Sequence, residues 1–171
     1  KQGVKKAFGK RDLIVMQAVR SIDDMDQAKN LLYMRVLEWF KLSFPEAQVQ
    51  NEETLCKIAA VFGRKENLEY STLAEISGEV KAAELIESVE HSFGAELSEG
   101  DAEGIRQLAG AAVNLFASRS VMEKFVTTTA KEAFPNLCHL LDPLLAGRLV
   151  TMSGGLERMA KMPGSTIQLL G

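Results

Sequence analysis

From Arg11 to Ser43 the chain has neither glycine nor proline, and its apolar residues recur alternately every three and four positions. Val15, Ala18, Ile22, Met25, Lys29, Leu32, Val36 and Trp39 form that seam, with Lys29 as its polar break. Such spacing, held through more than about four heptads of uninterrupted helix, keeps one stripe facing a partner helix and specifies a coiled-coil rod. At 1.5 Å per residue the rod spans roughly 50 Å, and Pro45 ends it.

A stripe of this kind needs a second rod, and Ile105, Leu108, Ala112, Leu115, Arg119, Met122, Val126, Thr129 and Ala133 supply one. It follows "LSEGDAEG", where Ser98 or Asp101 can cap a helix start, and it ends before Pro135. Two rods of similar length predict an antiparallel helical hairpin. The tip, about 45–100, is predicted to hold a helix over 51–63 stopped by Gly63, a short turn near Leu73–Ile76, and a helix over 78–94 stopped by Gly94. After Pro135 the helices shorten. Asp142-Pro143 reads as N-cap plus first helical residue, "LERMAKM" as two turns, and "STIQLL" fits helix or strand equally. No sheet is predicted, so the class is all-α: residues 1–10 a basic linker, 11–134 the coiled coil with its tip, 135–171 a compact helical domain.

Composition narrows the function. No apolar run approaches the ~20 residues of a membrane span. The two cysteines, Cys56 and Cys138, lack any partner spacing, which suits reduced thiols. A net charge of −3 conceals segregation. Residues 1–20 carry six basic side chains and one acid, Asp12; residues 51–104 carry thirteen acids and four bases; residues 105–171 return to seven bases and four acids. Local patches rather than the mean charge govern phosphate binding.

Catalytic equipment is sparse. His91 falls in the acidic tip, and His139 adjoins Cys138, but neighbours on a helix point about 100° apart. Cys138 therefore reads as core packing and His139 as solvated. No metal-ligand spacing, cofactor motif or phosphate-transfer loop occurs, so no cofactor and no enzymatic activity are expected.

The closing "SGGLERMAKMPGSTIQLLG" (153–171) is different in kind. Arg148 precedes it on a helix whose opposite face is read as Leu144, Leu145, Leu149 and Met152. Arg158 and Lys161, three residues apart, project from one side of a short helix, and a Gly164-Ser165-Thr166 turn follows. Basic side chains beside a small-residue turn suit contacts to a nucleic-acid backbone. A tight helix–helix corner accounts for the same glycines. A protein-only coiled-coil scaffold is the rival reading of the whole chain.

"PNLCHLLDPLLAGRLVTMSGGLERMAKMPGSTIQLLG" closely resembles the signature of the Nop-domain family: PNL, a GARL-like helix, an AGGL-like turn, then K-x-P-[AS]-[ST]-T-I-Q-x-L-G. "RDLIVMQAVRSIDDMDQAKNLLYMRVLEWFKLSFPE" looks like the family's coiled-coil opening, and "FGAELSEGDAEGIRQLA" like the lead into its second rod. The likeness is strongest to archaeal counterparts of the nucleolar members and weaker to a spliceosomal splicing factor. It implies a non-catalytic scaffold of box C/D guide ribonucleoproteins, which direct RNA 2′-O-methylation. The implied partners are a kink-turn guide RNA, the ribosomal-protein-like protein bound to it, fibrillarin through a domain preceding Lys1, and a second copy through the coiled coil. No membrane is involved; the setting is cytoplasmic in an archaeon, nucleolar or nuclear in a eukaryote.

Carried onto this sequence, the family's RNA-facing strip is Arg158, Lys161, Gly164, Ser165, Thr166, Gln168 and Gly171. Gly171 matches the start of a G-A-E-K motif, so the Nop domain is expected to be truncated here. Gly164 stands where relatives commonly have Ala or Ser, and Cys138 where many have Thr. Leu137, Leu140, Leu144 and Arg148 are the candidates for facing the partner protein. Ile22, Met25, Lys29, Leu32, Val36, Trp39, Leu115 and Met122 are the candidate seam.

Overall fold

The computed structural model describes the backbone of residues 2–170 and the side chains of 11–170. Among the described residues every regular element is helical: α1 (Gln2–Ser43), α2 (Glu52–Phe62), a 3-10 turn (Lys65–Asn67), α3 (Tyr70–Ser77), α4 (Glu79–Glu90), α5 (Glu99–Ala133), α6 (Pro135–Leu140), α7 (Pro143–Ser153), α8 (Leu156–Met159) and α9 (Gly164–Gln168). The all-α expectation holds. No described helix is long and apolar enough to cross a membrane.

Local chemistry sets the boundaries. Asn51 Oδ1 accepts the Thr54 N–H at 2.9 Å and caps α2, while Glu52 and Glu53 occupy its positive first turn. Ser98 and Asp101 cap α5 reciprocally: the Ser98 N–H donates to Asp101 Oδ2 at 3.0 Å, and the Asp101 N–H to Ser98 Oγ at 3.2 Å. Asp142 Oδ1 accepts from Leu144 N at 2.9 Å and starts α7 behind Pro143, as its sequence suggests. The turn expected near Leu73 is a full helix, α3, because Glu69 caps the amides of Ser71 and Thr72. α4 ends at Glu90, short of Gly94. α8 makes one turn rather than two, and "STIQ" resolves as helix.

The chain forms two compact units. One takes residues up to Asp26 and from Ser118 onward; the other is Gln27–Ala117. In the first, Arg11 pairs with Glu132 at 3.0 Å and Asp26 with Arg119, so α1 and α5 run antiparallel there. Val15, Val19 and Ile22 share a core with Val126, Ala130, Ala146 and Val150. In the second unit, Val36, Phe40 and Phe44 pack with Ile105, Ala109, Ala112 and residues of α2, α3 and α4.

The seam differs from its strict form. Ile22 and Val36 are fully buried, but Trp39 is 42 % exposed and Phe40, 1 % exposed, takes its place. Leu32 shares its position with Tyr33, Phe116 rather than Leu115 joins the core, and Met25 and Met122 are half-buried. Each rod packs on two sides, against its partner rod and against the short helices. The buried stripe therefore widens beyond the narrow a/d seam of an isolated coiled coil. Lys29, the polar break, is satisfied inside its unit: Nζ lies 3.2 Å from Glu52 Oε2 and 5.2 Å from the Phe116 ring centroid.

Candidate nucleic-acid interface

The expected strip lies wholly in the first unit, and backbone geometry builds it. α7 ends in Gly154, left-handed at φ 80°, ψ 24°, and Gly155 follows at φ 120°, ψ 160°, a conformation that essentially only glycine adopts. The Gly155 N–H returns to Val150 O at 2.9 Å, closing the end of α7. This pair turns the chain into α8. Leu156 and Met159 then pack on the core beside Met16, leaving Glu157, Arg158 and Lys161 on the solvent side.

Arg158 folds back over the glycine turn; a methyl group built on Gly154 would lie 3.3 Å from its Cδ and Nη1. Among the described residues no carboxylate pairs with Arg158. Lys161 does have a partner, Glu157 Oε1 at 2.8 Å, and that hydrogen bond holds the Glu157 carboxyl below the usual range. Both side chains are highly exposed, so this pair contributes little and yields readily to a phosphate. Pro163 opens α9, where Ser165, Thr166 and Gln168 are exposed and Ile167 is half-buried. Nothing lies within 4 Å of a methyl group built on Gly164, so the position has room for a larger residue. The structure thus brings Arg158, Lys161, Ser165, Thr166 and Gln168 into one exposed stretch; Gly171 lies outside the described residues.

The candidate partner-facing residues divide. Leu140 is 81 % exposed, whereas Leu137 and Leu144 pack on the core. Arg148 does not oppose all the apolar residues of α7. Leu145 and Met152 are exposed at the three- and four-residue spacings that share its side, and of the four residues expected opposite it Leu149 is buried and Leu144 half-buried. Its Nη2 is 3.8 Å from Asp23 Oδ1, and its Nε is buried without a hydrogen-bond partner.

Sequence reading missed Asp12, whose Oδ2 accepts the Leu156 N–H at 3.2 Å. Nothing local could reveal a contact across that separation.

No described group of histidines, cysteines and carboxylates is arranged to hold a metal. Cys138 is packed against the core, its thiol pushed up by burial, and His139 is exposed. In the other unit a cleft of about 640 Å³, lined among others by Tyr33, Lys41, Gln50, Asn51 and Lys81, carries no carboxylate or histidine for acid–base work.

Comparison with known proteins matches residues 21–171 to a family described as Nop, snoRNA binding domain, fibrillarin. The chain is 33 % identical over 173 residues to an uncharacterized NOP5 family protein of Methanocaldococcus jannaschii, covering all of this chain and 42 % of the relative. It is 35 % identical over 164 residues to nucleolar protein 58 of Emericella nidulans, covering 95 % and 28 %. With nucleolar protein 58 of Debaryomyces hansenii the figures are 32 % over 170 residues, 98 % and 33 %. The chain therefore spans less than half the length of these relatives.

Proposed function

The chain belongs to the Nop family, and on that premise we propose that it is a non-catalytic scaffold of box C/D guide ribonucleoproteins. Residues 135–171 form the RNA-facing part. They bind the composite surface of a kink-turn RNA and the ribosomal-protein-like protein seated on it. Residues 11–134 pair two copies of the chain, and the methyltransferase chemistry belongs to fibrillarin. The setting is nucleolar in a eukaryote and cytoplasmic in an archaeon.

The observation that carries this reading is the glycine-turned α8 and the turn that follows it, which hold outward on a packed base an arginine that no described carboxylate pairs and a weakly paired lysine. One short helix and a turn cannot read many base edges. Recognition then depends on phosphate contacts and on the shape of a structured RNA plus a protein surface. Pairing is supported by exposed Leu31, Met34, Trp39 and Leu42, which lie on α1 away from the buried Val36 and Phe40.

An electrophoretic shift with a box C/D kink-turn RNA, with and without its kink-turn-binding protein, tests the proposal. The expected outcome is a supershift only on the preformed complex, lost in Arg158→Ala/Lys161→Ala, with two copies of the chain per complex by light scattering. No supershift, or one indifferent to the double substitution, overturns the RNA-scaffold reading in favour of a protein-only coiled-coil module.

A further inference from the structure

The strip begins with Arg158 on α8, a helix of one turn that leads directly into the turn carrying Lys161, and such a helix does not hold itself in place. An exposed N-terminal amide is ordinarily satisfied by a serine, threonine, aspartate or asparagine at the N-cap. Here that is excluded. The N-cap is Gly155, whose φ of 120° and ψ of 160° disfavour any side chain, and no local side chain caps the helix. The turn that aims α8 therefore forbids the residue that would stabilise it.

Asp12 resolves the conflict from 144 positions away, its Oδ2 accepting the Leu156 N–H at 3.2 Å. The same oxygen lies 3.7 Å from where a Gly155 side chain would begin, so the glycine leaves room for the approach. Met16, one turn further along α1, belongs to the core on which Leu156 and Met159 pack, and its Sδ lies 3.9 Å from where a Gly155 side chain would begin. α1 thus supplies a cap to α8 and part of the core beneath the element that carries Arg158 and leads into Lys161.

We propose that Asp12 is a positioning residue of the RNA-facing strip, capping α8 in place of its glycine N-cap and fixing the direction in which Arg158 and Lys161 project. This rests on the RNA-scaffold reading given above. It has an unusual signature: Asp12 is an acid that strengthens binding to a polyanion. Its charge opposes phosphate, and only its acceptor oxygen helps. Asparagine keeps that oxygen and removes the charge.

The test compares Asp12→Ala, Asp12→Asn and Arg158→Ala/Lys161→Ala in the intact chain, on the kink-turn RNA with its binding protein. Amide exchange at Leu156 is followed by NMR in the absence of RNA. Asp12→Ala is expected to weaken assembly about fivefold, the scale of one ordinary hydrogen bond, and to speed Leu156 exchange at unchanged helix content. Asp12→Asn is expected to bind at least as tightly as the parent and to retain protection. Equal losses in Asp12→Ala and Asp12→Asn would overturn the capping role. So would wild-type affinity in Asp12→Ala beside a loss in the Arg158/Lys161 variant, which leaves the RNA reading intact. If the Arg158/Lys161 variant also binds like the parent, the RNA reading itself fails and this inference with it.

Discussion

Gly94 and Gly164 illustrate how differently two glycines constrain one chain. A methyl group on Gly94 would collide with the backbone carbonyl of Ser43 and with the Pro45 ring, so the loop lies directly against the end of α1. Lys65 reinforces that approach: buried, its Nζ donates to Gly94 O at 2.7 Å and lies 3.4 Å from Ser92 O. Gly94→Ala forces the loop off α1 and is expected to cost about 3 kcal/mol, the upper range for overpacking. Gly164 faces open space, and Gly164→Ala is expected to stay within about 0.5 kcal/mol of the parent. Urea denaturation of the two variants checks both values; similar costs would contradict the distinction. Neither role is visible in the sequence, where both positions are a glycine near a helix end.

At the scale of elements, caps account for most of what was legible. Ser98, Asp101 and Asp142 act where their residue types suggest, and Asn51, expected inside its helix, caps it instead, because a cap is a local interaction within three residues. Glu69 was missed because glutamate is an uncommon N-cap. It accepts from the Ser71 and Thr72 amides at 3.2 Å each, and the neighbouring hydroxyls hold its carboxyl down at about 2, from an ordinary 4.5. The lowered value means that the charged cap is fully present above the ordinary carboxylate range and is lost as pH falls through about 2. Protection of the Ser71 and Thr72 amides is thus expected to be high at about pH 5 and to collapse near about pH 2, and to be low at both in Glu69→Ala. Protection that survives at the lower pH would contradict it. The seam was legible in period but not in width. Sequence spacing cannot reveal that α2–α4 and α6–α8 pack on the second side of the rods, moving burial from Trp39 to Phe40 and bringing Phe116 against the core. The exposure of Arg158 and Lys161 on one side was legible from their spacing, although α8 ends at Met159 and Lys161 falls in the turn after it rather than on the helix. The support from Asp12 was not, because it is a matter of tertiary approach.

For the whole molecule, segregation of charge and of packing carries the functional account. Acids concentrate in residues 51–104, while Arg158, which no described carboxylate pairs, and the lightly paired Lys161 stand together in the other unit. On the proposed scaffold reading, phosphate contacts at this one place are the main source of affinity, so counterion release makes binding weaken with salt. The most direct measurement is the affinity of the chain for the kink-turn RNA–protein complex across a salt series, for the parent and for Arg158→Ala/Lys161→Ala. The account predicts that log K falls linearly with log salt concentration, and that the double substitution makes the slope shallower by about 1.4–1.8, two phosphate contacts' worth. Parallel lines with unchanged affinity would contradict it, and would place the RNA contacts away from α8.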